Sequence, residues 1–385
     1  MPVAHAARKL PARRRVRSRR LWRPSRVPRR TAHDMLERLR SPDIWPDKVR
    51  SVNVIETHLS WVFLTSRFAW KMKKPVRHTG SDLRALTARE RDCRRELALN
   101  RRLAPNVYLA VLPLTLDRAG ALAVNGSGRV IDWLVQMRRL PASRMLDRAL
   151  AAHTVSREDL RAVSITLAAF YGARPRLAID AAQYRRNLGD LIDANERDLC
   201  DPALQQDAAA VAALCDSQRD AMAQLRPCLE RRVRDARIVE GHGDLRPEHV
   251  CLVKPIQIID CLTLSKVLRT VDCADEIAYL AMECERLGAR QAGRILLREW
   301  RQASGDRPEA ALVHFYQSLR AAVRARLAAL HLREKAYRGS PRWTERTCRY
   351  LQLARLHLKR CRRLLDARTG PLVSTQPDAE ERALD

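Results

Sequence analysis

The chain has 385 residues, enough for one large two-lobed domain or two ordinary ones, and enough to bury a core. Arg and Lys outnumber Asp and Glu by 73 to 44, a formal net charge of +29, which predicts attraction to polyanions, nucleotides as much as nucleic acid. Ten cysteines without a Cys-x-x-Cys spacing exclude a disulfide framework and argue against zinc, and no apolar run reaches membrane-spanning length or forms a secretion signal. The expectation is a cytoplasmic protein with reduced thiols and no membrane partner.

Residues 1–34 carry twelve Arg or Lys against one acid, with four prolines and no apolar periodicity, so a disordered basic extension is expected there. It reads as a nucleic-acid-binding arm, as an Arg-rich targeting peptide, or as non-native sequence from a start codon called too early. The last is favoured, because Met35 opens a helix-like segment leading into the patterned part of the chain. Three short strands are expected over 52–56, 60–64 and 68–72, with Thr65-Ser66-Arg67 as the turn between the last two. A partly amphipathic helix follows over 88–103, stopped by Ala104-Pro105-Asn106. Further strands are expected over 107–116, 122–124 and 130–137, with a turn at Asn125-Gly126-Ser127-Gly128.

After Gln136-Met137-Arg138-Arg139-Leu140-Pro141 the pattern becomes helical, over 142–151, 156–171, 184–200 and 202–234. Beyond the stretch described next, helices are expected over 273–287, with Asp272 as N-cap and Gly288 as stop, and over 289–303, 309–335 and 344–365. In the last, Tyr350, Leu351, Leu358, Cys361 and Leu365 fall at helical spacing and read as a core stripe rather than a site. Residues 320–363 hold fourteen basic residues against two acids, and residues 366–385 read as a loose acidic tail.

The chain is organised around Ile238 to Cys261, IVEGHGDLRPEHVCLVKPIQIIDC, a polar loop between short strand-like pieces. Its carboxylates Asp244 and Asp260, one on the loop and one closing a hairpin strand, can converge on one metal-phosphate centre. Phosphoryl transfer needs such a pair, one Asp to orient or deprotonate the attacking hydroxyl and one to hold the metal. His242-x-Asp244-Leu-Arg246-Pro247-Glu-His249 lies close to the protein-kinase catalytic loop, in which a metal-binding Asn stands five residues after the Asp.

His242-Gly243-Asp244 with Pro247 and the downstream Asp260 resembles the aminoglycoside phosphotransferase family, a branch of the protein-kinase-like fold. The resemblance covers roughly residues 48–335. Through Thr57 to Leu64 and the Lys71-rich strand it is closest to phosphotransferase domains often fused to a P-loop ATPase. The chain contains no Gly-x-x-x-x-Gly-Lys-Ser/Thr loop, so a stand-alone form is expected. The resemblance implies an α+β, two-lobed fold: an N-terminal nucleotide-binding lobe over 35–137 with an antiparallel sheet and one helix, and a larger helical catalytic and substrate lobe over 138–365. It implies transfer of the ATP γ-phosphoryl group to a hydroxyl of a small-molecule acceptor, with Mg²⁺ as metal.

Residue by residue, the resemblance gives Asp244 as orienting base, Asp260 as metal ligand and Arg246 as the group offsetting developing charge. His242 is placed in the catalytic loop as a bracing hydrogen-bond donor. Lys71, in Ala69-Trp70-Lys71, matches the lysine that spans nucleotide phosphates, with Lys73 on the same strand face as the other candidate and Glu96 as its carboxylate partner. Thr57 and Ser60 stand where the phosphate-covering loop belongs, though without its glycines, and backbone near Met137 would contact adenine.

His249 departs from the pattern, since imidazole nitrogen suits softer metals than Mg²⁺. It binds through water, or the site prefers Mn²⁺, or one metal alone is held. A degenerate ATP-binding pseudokinase is one alternative reading. A nucleic-acid or polyanion-binding protein is another, although low aromatic content leaves little base-stacking material and nucleic acid is not expected as the primary ligand. Aminoglycosides are polycations, so the basic C-terminal region points instead to a neutral or anionic acceptor.

Overall fold

The computed structural model describes residues 35–47, 49–78, 81–334 and 337–369. The basic extension expected over 1–34, and residues 370–385 of the expected tail, lie outside the described residues. The fold is α+β and two-lobed. A curled antiparallel sheet occupies the N-terminal part, and helices make up most of the rest.

The sheet has six strands in the order β1-β2-β3-β8-β6-β7. They are β1 (Asn53–Glu56), β2 (Ser60–Leu64), β3 (Phe68–Lys73), β6 (Tyr108–Leu116), β7 (Leu122–Val124) and β8 (Arg129–Arg138). A two-strand hairpin, β4 (Arg77–His78) with β5 (Ser81–Asp82), leads from β3 into the helix α2 (Leu86–Asn100). Alternation along β2 and β3 sends their side chains to opposite faces. Trp61, Phe63, Trp70 and Met72 bury on one face, under Leu39 of the helical turn α1 (35–39) and Trp45. Val62 and Lys71 pair across the strands, as do Ser60 and Lys73, and both pairs therefore share the opposite face. There Cys93 of α2 joins Val107, Tyr108, Val135 and Met137 in a second apolar cluster.

The helical part comprises α3 (Leu146–Ala151), α4 (Arg157–Gly172), α5 (Ala181–Leu199), α6 (Ala208–Gln224), α7 (Arg226–Arg234), α8 (Lys266–Arg269), α9 (Cys273–Arg286), α10 (Arg290–Ser304), α11 (Ala310–Leu330) and α12 (Pro341–Thr369). Its core runs through Phe170, Tyr184, Ile277, Trp300, Phe315, Tyr316 and Tyr350, all buried. The single helix expected over 202–234 is instead a 3₁₀ turn, α6 and α7. Pro227 lacks the N–H that would bond back into the preceding turn, and Asp207 caps α6 by accepting from the Ala210 N–H. α12 continues through Thr369, so the start of the expected tail is helical.

The central stretch begins on β9 (Ile238–Glu240), passes through a 3₁₀ turn over Pro247–His249, and forms the hairpin β10 (Val250–Cys251) with β11 (Gln257–Ile258). β9 pairs not with that hairpin but with β12 (Thr270–Asp272), whose last residue caps α9 as expected. The start of the loop is thereby tied to the N-terminus of α9.

Candidate active site

His242, Gly243 and Asp244 follow β9 directly, and the buried carboxylate of Glu276 on α9 holds them. The His242 N–H donates to Glu276 Oε2 at 2.8 Å and the Gly243 N–H to Oε1 at 2.5 Å, while the Tyr171 hydroxyl donates to Oε2 at 3.0 Å. Two glycines permit this. A Cβ at Gly241 would run into the Glu276 carboxylate, and Gly243 adopts φ +84°, where a side chain would also crowd Arg269 and Leu262. The His242 Nε2–H donates to the Ile259 carbonyl at 2.8 Å, and Nδ1 accepts from the Asp244 N–H at 3.3 Å. Fully buried and used at both nitrogens, His242 ties the loop to the far side of the hairpin.

Asp244 accepts from the Tyr279 hydroxyl at 2.9 Å and from Arg246 Nε at about the same reach, 3.0–3.1 Å. Burial pushes its carboxyl up, but the Arg246 guanidinium and the other positive groups around it outweigh that and hold it well below the usual carboxylate range. Asp260 lies two residues past β11 in the left-handed region, φ +62°, which a non-glycine residue keeps only when neighbours fix it. Those neighbours come from the other lobe: the Asp260 N–H donates to the Tyr108 hydroxyl at 3.1 Å, and the Cys261 N–H to Asn100 Oδ1 at 2.8 Å.

His249 stands between the two aspartates, with Nδ1 3.9 Å from Asp244 Oδ2 and Nε2 3.6 Å from Asp260 Oδ2. Arginine can only donate, so the 3.0 Å contact from Arg246 Nη2 makes Nε2 an acceptor. Nδ1 then carries the proton, donated to the Asp244 carbonyl at 2.8 Å. The ring is neutral: burial, then the Arg246 charge, push its pKa down to about 4 against the pull of both aspartates.

Lys71 closes the constellation from the sheet. Its Nζ is 2.6 Å from Asp260 Oδ1 and 2.8 Å from Glu96 Oε1. Burial lowers the lysine pKa, but the Asp260 and Glu96 carboxylates raise it well above its ordinary value. Lys73 lies deeper, 2.5 Å from Glu96 Oε2 and 3.0 Å from Asp92 Oδ2. The two lysines thus share Glu96, and Lys71 is the one that reaches across to Asp260.

Thr57 and Ser60 form a self-closed turn at the β1–β2 tip. The Thr57 hydroxyl accepts from the Ser60 N–H at 3.0 Å and donates to the Ser60 carbonyl at 2.9 Å, and Ser60 is buried. Met137 is still within β8, paired with Ala69 on one side and Tyr108 on the other. The Arg138 and Arg139 N–H groups donate to the Val107 and Arg67 carbonyls, which extends that pairing past the strand end. A groove beside them, lined by Ser66, Arg67, Phe68 and Arg138 to Pro141, lies at the β2–β3 turn, away from Lys71 and Asp260.

Sequence reasoning did not single out Glu276, Tyr108, Asn100, Tyr279 or Arg324. Each acts through a partner far along the chain, which no local spacing signals. Tyr350, read as core stripe, is buried as expected but also donates to Glu283 at 2.7 Å, within a group of arginines near Asp244.

Among the described residues no three His, Cys, Asp or Glu side chains gather as a metal-ligand group. Asp260 Oδ2 and His249 Nε2 nevertheless face each other at 3.6 Å. Because Mg²⁺ is usually held by one or two carboxylates and the oxygens of a phosphate ligand, Asp260 fits such a cation. His249 would join only if Arg246 released its Nε2.

No model of a known protein family matches the chain. Proteins of Mycobacterium tuberculosis and Mycobacterium bovis, both described as uncharacterized, are 31% identical to it over 320 residues, 80% of this chain and 60% of theirs. The chain therefore spans about three fifths of the length of these relatives. Among solved structures it is similar to choline kinase from Cryptosporidium parvum, at 10% identity over 89% of this chain and 98% of that one, with a TM-score of 0.51. A choline/ethanolamine kinase family protein from Mesorhizobium loti is 12% identical over 88% and 99%, with a TM-score of 0.49. The chain thus shares the two-lobed, kinase-like α+β fold of the Cryptosporidium parvum choline kinase. No helix among the described residues is long and apolar enough to cross a membrane.

Proposed function

We propose that the protein is an ATP-dependent phosphotransferase acting on a hydroxyl of a small molecule. One observation carries this reading: Lys71 Nζ lies within 2.8 Å of both Glu96 on α2 and Asp260 beyond β11, joining the lobes at the point where nucleotide phosphates would lie. Lys71 binds those phosphates and Glu96 orients it. Ser60 and the β1–β2 tip cover them, and the strand end at Met137 borders the adenine. Asp260 would hold Mg²⁺ or Mn²⁺, which neutralises charge on the β- and γ-phosphate oxygens.

In the transfer step the acceptor oxygen bonds to the γ-phosphorus, the bond to the β–γ bridging oxygen breaks, and the acceptor proton passes to Asp244. A carboxylate held as acidic as Asp244 is a weak base in the resting site. Its part is to orient the hydroxyl through a hydrogen bond and receive the proton late, as a loose transition state allows. Arg246, already on Asp244 and His249, offsets the developing negative charge.

Calorimetric titration of the full chain with ATP in Mg²⁺, in Mn²⁺ and in excess chelator tests the reading, and absence of metal-dependent binding to folded protein overturns it. Asp244→Asn should lower transfer by about 10²- to 10⁴-fold with ATP affinity nearly unchanged. A second reading, ATP binding without turnover, is favoured by one feature: Arg246 takes up His249 Nε2, where the kinase pattern has a metal-binding Asn. It predicts ATP binding with no ADP formed from any acceptor.

A further inference from the structure

Four arginines near Asp244, Arg246, Arg286, Arg324 and Arg346, share three carboxylates, Asp244, Glu248 and Glu283. Glu248 Oε1 is approached by Arg246 at 3.5 Å, by Arg286 at 3.5 Å and by Arg346 at 3.9 Å, all longer than the 2.7–2.9 Å typical of a charge-assisted bond. Its other oxygen, Oε2, and Arg346 Nε are buried without a hydrogen-bond partner. Arg324, largely buried beside this group, comes no nearer to a carboxylate than 3.4 Å, to Glu283, and its Nε donates to the Tyr350 hydroxyl at 3.4 Å. Glu283 is itself engaged by Arg286 Nε at 2.5 Å and by the Tyr350 hydroxyl at 2.7 Å. The guanidiniums of Arg286, Arg324 and Arg346 crowd the Tyr350 ring at 5.5, 5.7 and 5.9 Å.

Like charges gathered this closely repel unless an anion lies among them. A protein carboxylate could have relieved the repulsion, as at Arg320, where Asp275 is bound through both oxygens at 2.8 and 2.5 Å. Here four guanidiniums share three carboxylates, and three of them meet Glu248 only at 3.5 to 3.9 Å. The Tyr350 ring lies among these guanidiniums, whose planar forks suit the paired oxygens of a carboxylate or phosphate. The cluster is joined to Asp244 through Arg246, whose Nε reaches Asp244 and whose Nη1 faces Glu248.

We propose that this cluster is the acceptor's anion pocket: the acceptor is a small alcohol bearing a carboxylate or a phosphate, held by Arg286 and Arg346 with Arg324, while its hydroxyl lies at Asp244. The inference rests on the phosphotransferase reading for the identity of the bound molecule, and on the arginine geometry alone for its charge. Cationic amino alcohols and amino sugars are disfavoured there.

The test is calorimetric titration of the full-length protein at low ionic strength with inorganic phosphate and, separately, with malonate. Wild type, Arg346→Ala, Arg286→Ala and Lys71→Ala are compared, with unfolding curves run to verify folding. The expected result is binding that weakens at least about ten-fold in Arg346→Ala or Arg286→Ala and is retained in Lys71→Ala. Tighter phosphate would point to a phosphate ester, tighter malonate to a hydroxy acid. No binding, or binding lost with Lys71 and kept without Arg346, overturns the proposal. ATP titrated in parallel separates the two readings: ATP binding without anion binding sinks only the pocket, and anion binding without ATP binding sinks only the phosphotransferase.

Discussion

Two sets of arginines, both largely buried, meet the two ends of α9, Arg232 and Arg320 at Asp272 and Asp275, Arg286 and Arg324 at Glu283. Arg232 is clamped by Asp272 at 2.8 and 2.5 Å and by Asp306 at 2.5 and 2.7 Å, with the Tyr184 and Tyr316 hydroxyls completing the shell around Asp272. Arg320 is matched one to one with Asp275. On the Asp244 side, Arg246, Arg286, Arg324 and Arg346 share carboxylates, some across gaps of 3.4 to 3.9 Å. Where the chain needs an arginine for architecture it supplies a fitted carboxylate. Near Asp244 four guanidiniums face three carboxylates, so net positive charge remains there.

The contrast is broken first at Arg232. Arg232→Ala leaves Asp272 and Asp306, nearly inaccessible to water, without their cation, and removal of one partner from a buried pair costs about 3–5 kcal/mol. Denaturant unfolding should show a loss of that size. A loss below about 1 kcal/mol would mean the tight set is no more structural than the loose one.

Glu276 extends the architectural side into the loop that carries Asp244. Glu276→Gln keeps one acceptor oxygen where two N–H groups and the Tyr171 hydroxyl now converge, at a cost of about 1.5–3 kcal/mol for hydrogen bonds to a charged group. Hydrogen exchange at the His242 and Gly243 amides should accelerate in this variant, and unchanged protection would remove Glu276 as the anchor of the loop.

The legible part of this site was its order along the chain. Lys71, Glu96, Asp244 and Asp260 each stood in a short patterned segment, and the structure brings Lys71 within 2.8 Å of two of the others. Strand alternation also put Lys71 and Lys73 on one face, though only the depth of Lys73 beside Asp92 separates them. The fold was readable for a related reason: period-two and helical patterns are local, so the strands over 60–64 and 122–124 fall where expected. What stayed hidden depends on distance in sequence. Nothing near Glu276 announces that its carboxylate caps amides more than thirty residues earlier, and nothing near Arg346 announces Glu248. The β9–β12 pairing went unread because each strand has three residues, too few for alternation to register.

A third charged cluster lies between the two extremes and responds to pH. His357 Nε2 is 3.1 Å from Glu285, which Arg360 and Arg290 approach at 3.5 and 3.8 Å, and His314 Nδ1 faces His357 Nδ1 and Gln317. Burial, then His357, push the His314 pKa down to about 3, below the roughly 6.5 of an unfolded histidine. Between those values the unfolded chain binds the extra proton. His314 therefore costs no stability above about pH 6.5, and costs progressively more as pH falls toward 3, at most about 1.4 kcal/mol per pH unit. His314→Gln should flatten the fall of the urea midpoint between pH 7 and 4.5, and an unchanged slope would place the acid sensitivity elsewhere.

The smallest effect is the most informative about the loose set. Arg346 approaches its nearest carboxylate at 3.9 Å and its Nε has no partner, so Arg346→Ala removes little that the folded state has gained. It also relieves repulsion with Arg286 and Arg324 around Tyr350. The expected change in unfolding free energy is within about 0.5–1 kcal/mol, with either sign allowed, against several for Arg232→Ala. A double-mutant cycle with Glu248→Gln should return a coupling of similarly small size. A coupling of 3 kcal/mol or more, on the order found for buried pairs, would make Arg346 and Glu248 a structural pair like Arg320 and Asp275, and the charge near Asp244 would then be already satisfied by the protein.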